Sequence, residues 1–329
     1  MRPPGFWSLT PDTGDWRSTI LTPLGSLYAA ATARRLRRSG IALDCPVICV
    51  GNINAGGTGK TPTVMALVER LKARGRSPQI VTRGYGGTAR GVMRVDPARH
   101  PASLVGDEPL LLSAFAPTWI ARDRAAGGRA AVADAADAVV LDDGFQNPAI
   151  DKDLSIVVVD AWAGFGNGRV IPAGPLREKV ETGLARADMV LSIGGPEDQR
   201  RFDRLWGERI TCPHLRGALR PLLTGMPWAG LRALAFAGIG RPEKFFGTLE
   251  ELGATLVRAE ALDDHQPLSA ALLSRLERDA ASLNAQLVTT EKDAVRLPAA
   301  FRSRVLTLPV RLALDDPAPL DAALDRLGL

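Results

Sequence analysis

Eight consecutive residues have the types and order needed to hold a polyphosphate: Asn54-Ala55-Gly56-Gly57-Thr58-Gly59-Lys60-Thr61. Glycine lets the backbone turn so that successive amides point inward around phosphate oxygens. Lys60 can then reach the terminal phosphates, and the Thr61 hydroxyl can ligate Mg²⁺. The run departs from the usual G-x-x-x-x-G-K-[ST] pattern at its first position, where Asn54 stands in place of glycine. Farther along, Asp142-Asp143-Gly144-Phe145-Gln146 sets two carboxylates side by side. Adjacent acids repel unless a cation or a turn accommodates them. Mg²⁺ held from the side opposite the loop threonine is one reading, and a plain Asp-Asp-Gly turn is the other.

Other polar residues are candidates for the same chemistry. Guanidinium groups spread phosphate charge because they offer forked donors and stay protonated. Arg124 and Arg177 are the candidates, with Arg122 as the alternative to Arg124. Asp107, in Gly106-Asp107-Glu108-Pro109, is either an N-cap for the helix running through Leu110, Leu111 and Leu112 or a functional carboxylate. His265 stands in Asp263-Asp264-His265-Gln266, where a neighbouring carboxylate can fix an imidazole tautomer. Arg83, Tyr85, Gln146 and Glu178 complete the set.

The elements around these residues define the fold. Cys45 to Gly51 is a short apolar strand, and Val64, Leu67, Val68 and Leu71 recur at helical spacing after the loop, giving strand, glycine-rich loop, helix. Asp137-Ala-Val-Val-Leu141, Leu154 to Asp160 and Ala187 to Ile193 read as further buried strands, each followed by loop or helix. This alternation predicts an α/β chain: a P-loop NTPase-type, mostly parallel sheet with helices on both faces. A fresh α/β set begins at Arg232, so three regions are expected: an N-terminal amphipathic helix over 1–40, a P-loop core over 41–210 and a second, smaller α/β lobe over 211–329. In the first region Ile20, Leu21, Leu24, Leu27, Tyr28 and Ala31 share one helical face that ends at Arg34, Arg35, Arg37 and Arg38. Such a helix either lies among lipid headgroups or docks on its own core, and Pro23 is expected to shorten it.

Several short motifs go beyond a generic P-loop. Gly51-Asn52 before Ala55-Gly-Gly-Thr-Gly-Lys-Thr-Pro62, then Arg83-Gly-Tyr-Gly86, Gly106-Asp-Glu-Pro109, Asp142-Asp-Gly-Phe-Gln146, Gly174-Pro-Leu-Arg-Glu178 and Thr290-Glu-Lys-Asp293 resemble the tetraacyldisaccharide 4'-kinase family across most of the chain. The resemblance implies transfer of the γ-phosphate of ATP, with Mg²⁺, to the 4'-hydroxyl of an acylated glucosamine disaccharide phosphate lipid on the cytoplasmic face of the inner membrane. It implies Asp107 as general base, His265 as the residue that tunes it, and Lys60, Arg124 and Arg177 at the phosphates. Gln146 joins the loop residues 54–61 at the nucleotide, Thr61, Asp142 and Asp143 hold the metal, and Arg83, Tyr85 and Glu178 face the sugar or lipid phosphate. It also implies that the first helix approaches an anionic membrane peripherally.

Composition narrows the remaining readings. The 329 residues carry a formal charge of +5, which favours an anionic partner. A dense Lys/Arg stripe with interleaved aromatics is missing, so nucleic acid is not expected. No apolar run reaches the roughly 18 residues of a membrane span. Cys45, Cys49 and Cys212 form no metal-ligand spacing and read as reduced thiols. A monomer is expected. The rival reading is a P-loop switch ATPase acting as a nucleotide-gated membrane or partner-binding protein, which would leave Asp107, His265 and the Arg83-Gly-Tyr-Gly86 loop without a role.

Overall fold

The structure, a computed structural model, describes residues 4–222, 224–263 and 266–329. Its larger sheet is built on β1 (Val47–Gly51), β5 (Ala138–Asp142), β6 (Leu154–Asp160) and β7 (Met189–Ile193), with β2 (Pro78–Thr82) beside β5. These are almost continuous buried apolar runs, as parallel strands covered on both faces require. With β3 (Met93–Arg94), β4 (Thr118–Ile120), β8 (His214–Pro221) and β13 (Val310–Leu314) the order is β13-β8-β7-β6-β1-β5-β2-β4-β3. Only the two edge pairs, β3 with β4 and β13 with β8, are antiparallel.

One face packs on α2 (Lys60–Ala73) and α12 (Ala318–Arg326) through residues such as Leu67, Leu71, Leu320 and Leu324. The other packs on α5 (Arg124–Ala133), α6 (Val180–Leu184) and α7 (Pro196–Trp206). The short helices α3 (Ala102–Val105) and α4 (Asp107–Ser113) sit between β3 and β4 in the chain. The expected P-loop α/β core is therefore present.

The second lobe is a four-stranded parallel sheet, β10-β9-β11-β12, made from β9 (Arg232–Ala237), β10 (Thr255–Ala261), β11 (Gln286–Thr290) and β12 (Val305–Leu308). Helices α8 (Pro242–Glu251) and α9 (Ala270–Ser282) cover its two faces, while α10 (Glu291–Ala294) and α11 (Ala299–Arg302) link β11 to β12. A cut at residue 210 does not separate the two bodies. Strands β8 and β13 both lie beyond it, pair with each other from Gly217↔Leu314 to Pro221↔Val310, and complete the first sheet. The chain thus leaves the core through β8, builds the second lobe, and returns through β13 and α12.

Helix α1 (Trp16–Leu36) runs straight through Pro23, so the expected shortening does not occur. Its start is fixed by the Asp15 carboxylate, which accepts the Arg17 and Ser18 amides at 2.9 and 3.4 Å. The helix is inverted relative to an ordinary surface helix. Ser18, Gly25 and Thr32, spaced by seven, are its buried residues, whereas Trp16, Leu24 and Leu27 are 71%, 54% and 69% exposed. A Cβ at Gly25 would stand 2.7 Å from the Val170 carbonyl oxygen, so only glycine allows this approach. Among the described residues no helix is long and apolar enough to cross a membrane.

Candidate functional site

The glycine-rich loop joins the C-terminal end of β1 to the N-terminus of α2, where the helix dipole and free amides favour an anion. Gly59, the N-cap of α2, has φ +93°, a value that L side chains rarely adopt. Asn52 ties the loop to itself, donating from Nδ2 to Gly56 O at 3.3 Å and Thr58 Oγ1 at 3.2 Å. Asn54 explains the missing first glycine. Its side chain turns away from the loop and donates to Gly164 O at 3.0 Å, where it fastens a strap formed by residues 164–178. The strap is held further by Ala55 N to Pro175 O and Arg177 N to Ile53 O, both 2.7 Å.

Strand register then brings in the acids. Asp142 ends β5 opposite Val50 of β1, next to the strand that enters the loop. It is buried and accepts the Thr82 hydroxyl of β2 at 2.8 Å. Burial, reinforced by the facing Glu108 carboxylate, pushes its carboxyl up to about 7 although Lys60 and Thr82 favour the anion. Asp143 has φ +53° and aims elsewhere, 3.5 Å from Lys60 Nζ and 3.2 Å from Arg177 Nη1. Burial opposes its ionisation too, but the two cations outweigh that and hold its pKa below the ordinary value. A threonine hydroxyl and two carboxylates are hard oxygen donors of the kind Mg²⁺ takes. Among the described residues no three His, Cys, Asp or Glu side chains are grouped so that they could hold a metal ion.

The remaining candidates divide by exposure. Arg124 is 3% exposed and donates to the carbonyls of Ala121 and Asp142, so it braces the end of β5 from within, whereas Arg122 is exposed. Burial lowers the Arg124 pKa, opposed by the Asp142 and Asp143 charges. Arg83 and Tyr85 are exposed on the loop after β2. Gln146 donates from Nε2 to Asn52 O and Glu178 Oε1 at 2.8 and 2.9 Å. The expectation of Glu178 facing substrate is corrected here. Its carboxylate is buried, and its two oxygens are taken by Gln146 and Arg186.

Asp107 opens α4, and its N-cap is Gly106 with φ +96°, so the capping reading of this carboxylate does not hold. It faces the second lobe, 3.4 Å from Arg296 Nε, while Lys292 Nζ lies 3.6 Å from Glu108 Oε1. Arg296 also pairs with the buried Asp293 and donates to Gln266 O at 2.9 Å. Asp293 accepts Thr290 Oγ1 at 2.7 Å and Gly238 N at 3.1 Å, which fixes the Thr290-Glu-Lys-Asp293 turn and the end of β9. His265 lies outside the described residues. A second bridge between the lobes joins Asp160, at the end of β6, to Arg241 and Lys244 at 3.2 and 3.3 Å.

Sequence reasoning missed Thr82, Glu108, Arg186 and Arg296. Glu108 and Arg296 stand within or next to quoted motifs, which was a usable signal; Thr82 and Arg186 matter only through strand adjacency and packing. Together these groups can cradle a polyphosphate and neutralise its charge, with a carboxylate at the start of α4.

Comparison with known proteins agrees with this geometry. A family model described as Tetraacyldisaccharide-1-P 4'-kinase matches residues 17–328. A tetraacyldisaccharide 4'-kinase of Dinoroseobacter shibae is 65% identical, covering 99% of this chain and 98% of its own, and one of a Jannaschia species is 62% identical over 99% of each. A solved structure of LpxK from Aquifex aeolicus in complex with ATP has the same fold, with TM-score 0.76 at 24% identity, over 94% of this chain and 99% of that one. The chain, with its P-loop, acidic strand end and second lobe in one continuous match, belongs to the tetraacyldisaccharide-1-P 4'-kinase family.

Proposed function

We propose that the protein transfers the γ-phosphate of ATP to the 4'-hydroxyl of a tetraacylated glucosamine disaccharide 1-phosphate, forming lipid IVA in lipid A biosynthesis. The observation that carries this reading is the cluster at the P-loop, where Lys60, Asp143 and Arg177 meet, with Asp107 opening the helix whose Glu108 faces Asp142. The amides of residues 54–61 cradle the phosphates and Lys60 follows the transferring group, where charge neutralisation and alignment supply most of the rate. Thr61, Asp142 and Asp143 would hold Mg²⁺, which when bound would further neutralise the phosphate oxygens. Arg177 spreads charge beside Asp143, and Arg124 holds the strand end that carries both acids. Asp107 accepts the proton of the attacking hydroxyl, with His265 as the residue that tunes it. Arg83 and Tyr85, exposed on the loop after β2, are the groups offered to sugar and lipid phosphate.

The outward apolar stripe of α1 and its terminal arginines support peripheral contact with an anionic membrane, at the cytoplasmic face of the inner membrane. The enzyme acts as a monomer and takes no nucleic acid. ATP consumption is the test, followed with and without the detergent-dispersed acylated disaccharide phosphate. Acceptor-dependent consumption with label in the lipid supports the reading; acceptor-independent release of free phosphate would favour a switch ATPase.

A further inference from the structure

A line of polar contacts runs from the protein surface to the P-loop lysine. Arg186, just beyond α6, donates from Nη2 to Glu178 Oε2 at 2.6 Å. Glu178 Oε1 accepts Gln146 Nε2 at 2.9 Å. Gln146 Oε1 in turn accepts from Arg177 Nη1 at 3.3 Å, and the same nitrogen meets Asp143 Oδ1 at 3.2 Å. Asp143 completes the line at Lys60, 3.5 Å away. Arg186 also lies over the Phe145 ring at 4.3 Å and donates to Phe145 O at 3.3 Å. Phe145 is itself buried against the strand that opens the P-loop, its Cβ 2.4 Å from where a Cβ on Gly51 would fall.

The orientation of Gln146 is the sensitive point in this line. An amide can turn over, exchanging donor and acceptor ends. The Glu178 carboxylate and the Asn52 carbonyl both accept, so together they draw Nε2 and leave Oε1 for Arg177. Glu178 is 2% exposed, and a carboxylate buried to that extent needs a partner for each oxygen, the second of them cationic. Arg186 is that partner.

We propose that Arg186 is a positioning residue for phosphoryl transfer: by fixing the Glu178 carboxylate and Phe145, it sets the Gln146 amide and, through it, Arg177 and Asp143 beside Lys60. The inference rests on the kinase reading above. Arg186 acts through others, since its own contacts are Glu178 and Phe145.

The test is a double-mutant cycle on kcat with Arg186→Ala, Gln146→Ala and the double variant, assayed with detergent-dispersed tetraacylated disaccharide 1-phosphate and normalised to the fraction that binds ATP. Arg186→Ala should lower kcat by about 10²-fold, the scale of a small misplacement in a reacting site, with ATP affinity little changed. In the Gln146→Ala background the same change should cost little more, because the amide it acts through is already gone. If an unpaired Glu178 prevents Arg186→Ala from folding, Arg186→Lys enters the same cycle: it keeps the charge and loses the fork that spans Glu178 and Phe145. Wild-type kcat in the folded variant, or additive losses in the cycle, would overturn the proposal while the kinase reading stands. An inactive wild type would overturn both.

Discussion

Arg296 Nε stands 3.4 Å from the Asp107 carboxylate, so a guanidinium of the second lobe reaches the residue that opens α4 in the first. The same side chain neutralises Asp293, which is fully buried in its own lobe. Arg296→Ala therefore strands a buried charge. The expected loss is about 3–5 kcal/mol, the usual cost of breaking a buried pair from one side. Urea unfolding measures it, and an unchanged midpoint would contradict the assignment.

Asp107→Ala is expected to keep ATP affinity near that of the wild type and to slow transfer by about 10²–10⁴-fold, the range for loss of a general base. The two quantities separate the roles. A fall in ATP affinity with turnover preserved would make Asp107 a structural residue of the lobe contact.

Asp142 should leave a signature in the pH dependence of stability. Burial raises its carboxyl from 3.8 to about 7, so between those values the folded chain holds a proton that the unfolded chain has released. Its stabilising contribution is full below pH 3.8 and is lost as pH rises through 7. Asp142→Asn has no such proton, and its Oδ1 can still accept the Thr82 hydroxyl. Unfolding free energies measured from pH 5 to 8, without nucleotide or divalent cation, should shift steadily in favour of the variant. Parallel curves would contradict the raised pKa.

Leu24→Glu with Leu27→Glu probes α1. Both leucines are exposed, so the melting temperature should stay close to that of the wild type, while co-sedimentation with anionic vesicles should fall. A large drop in melting temperature would mean that the stripe is packed on protein. Undiminished vesicle binding at low and physiological salt would remove α1 as the membrane contact.

The core strands are legible in the sequence because each is a short, buried apolar run whose type does not depend on distant partners: Val47–Gly51, Leu154–Asp160 and Met189–Ile193 are examples. The loop 54–61 is equally plain, since its function needs particular residue types in a fixed order. What stays hidden depends on long-range pairing. Strands β8 and β13 are half-exposed, and only pairing assigns them to the first sheet: β8 through its parallel register with β7, and the edge strand β13 through its antiparallel register with β8. Thr82 is important only because β2 lies next to β5, and the burial of Glu178 follows from a strap that folds back over the P-loop. The polarity of α1 is visible in its periodicity, but whether the apolar face docks or faces outward is not, because either arrangement satisfies the same spacing.

Transfer to the 4'-oxygen is measured most directly by the position of the added phosphate in the product. The purified protein is incubated with ATP, Mg²⁺ and detergent-dispersed tetraacylated disaccharide 1-phosphate, and the lipid is analysed by mass and by phosphorus NMR. The expected product is a lipid with one added phosphate, borne on the 4'-oxygen of the distal sugar, formed by the wild type and lost in Lys60→Ala. ATP turnover that yields only free phosphate, or a phosphate added at another oxygen, would contradict it.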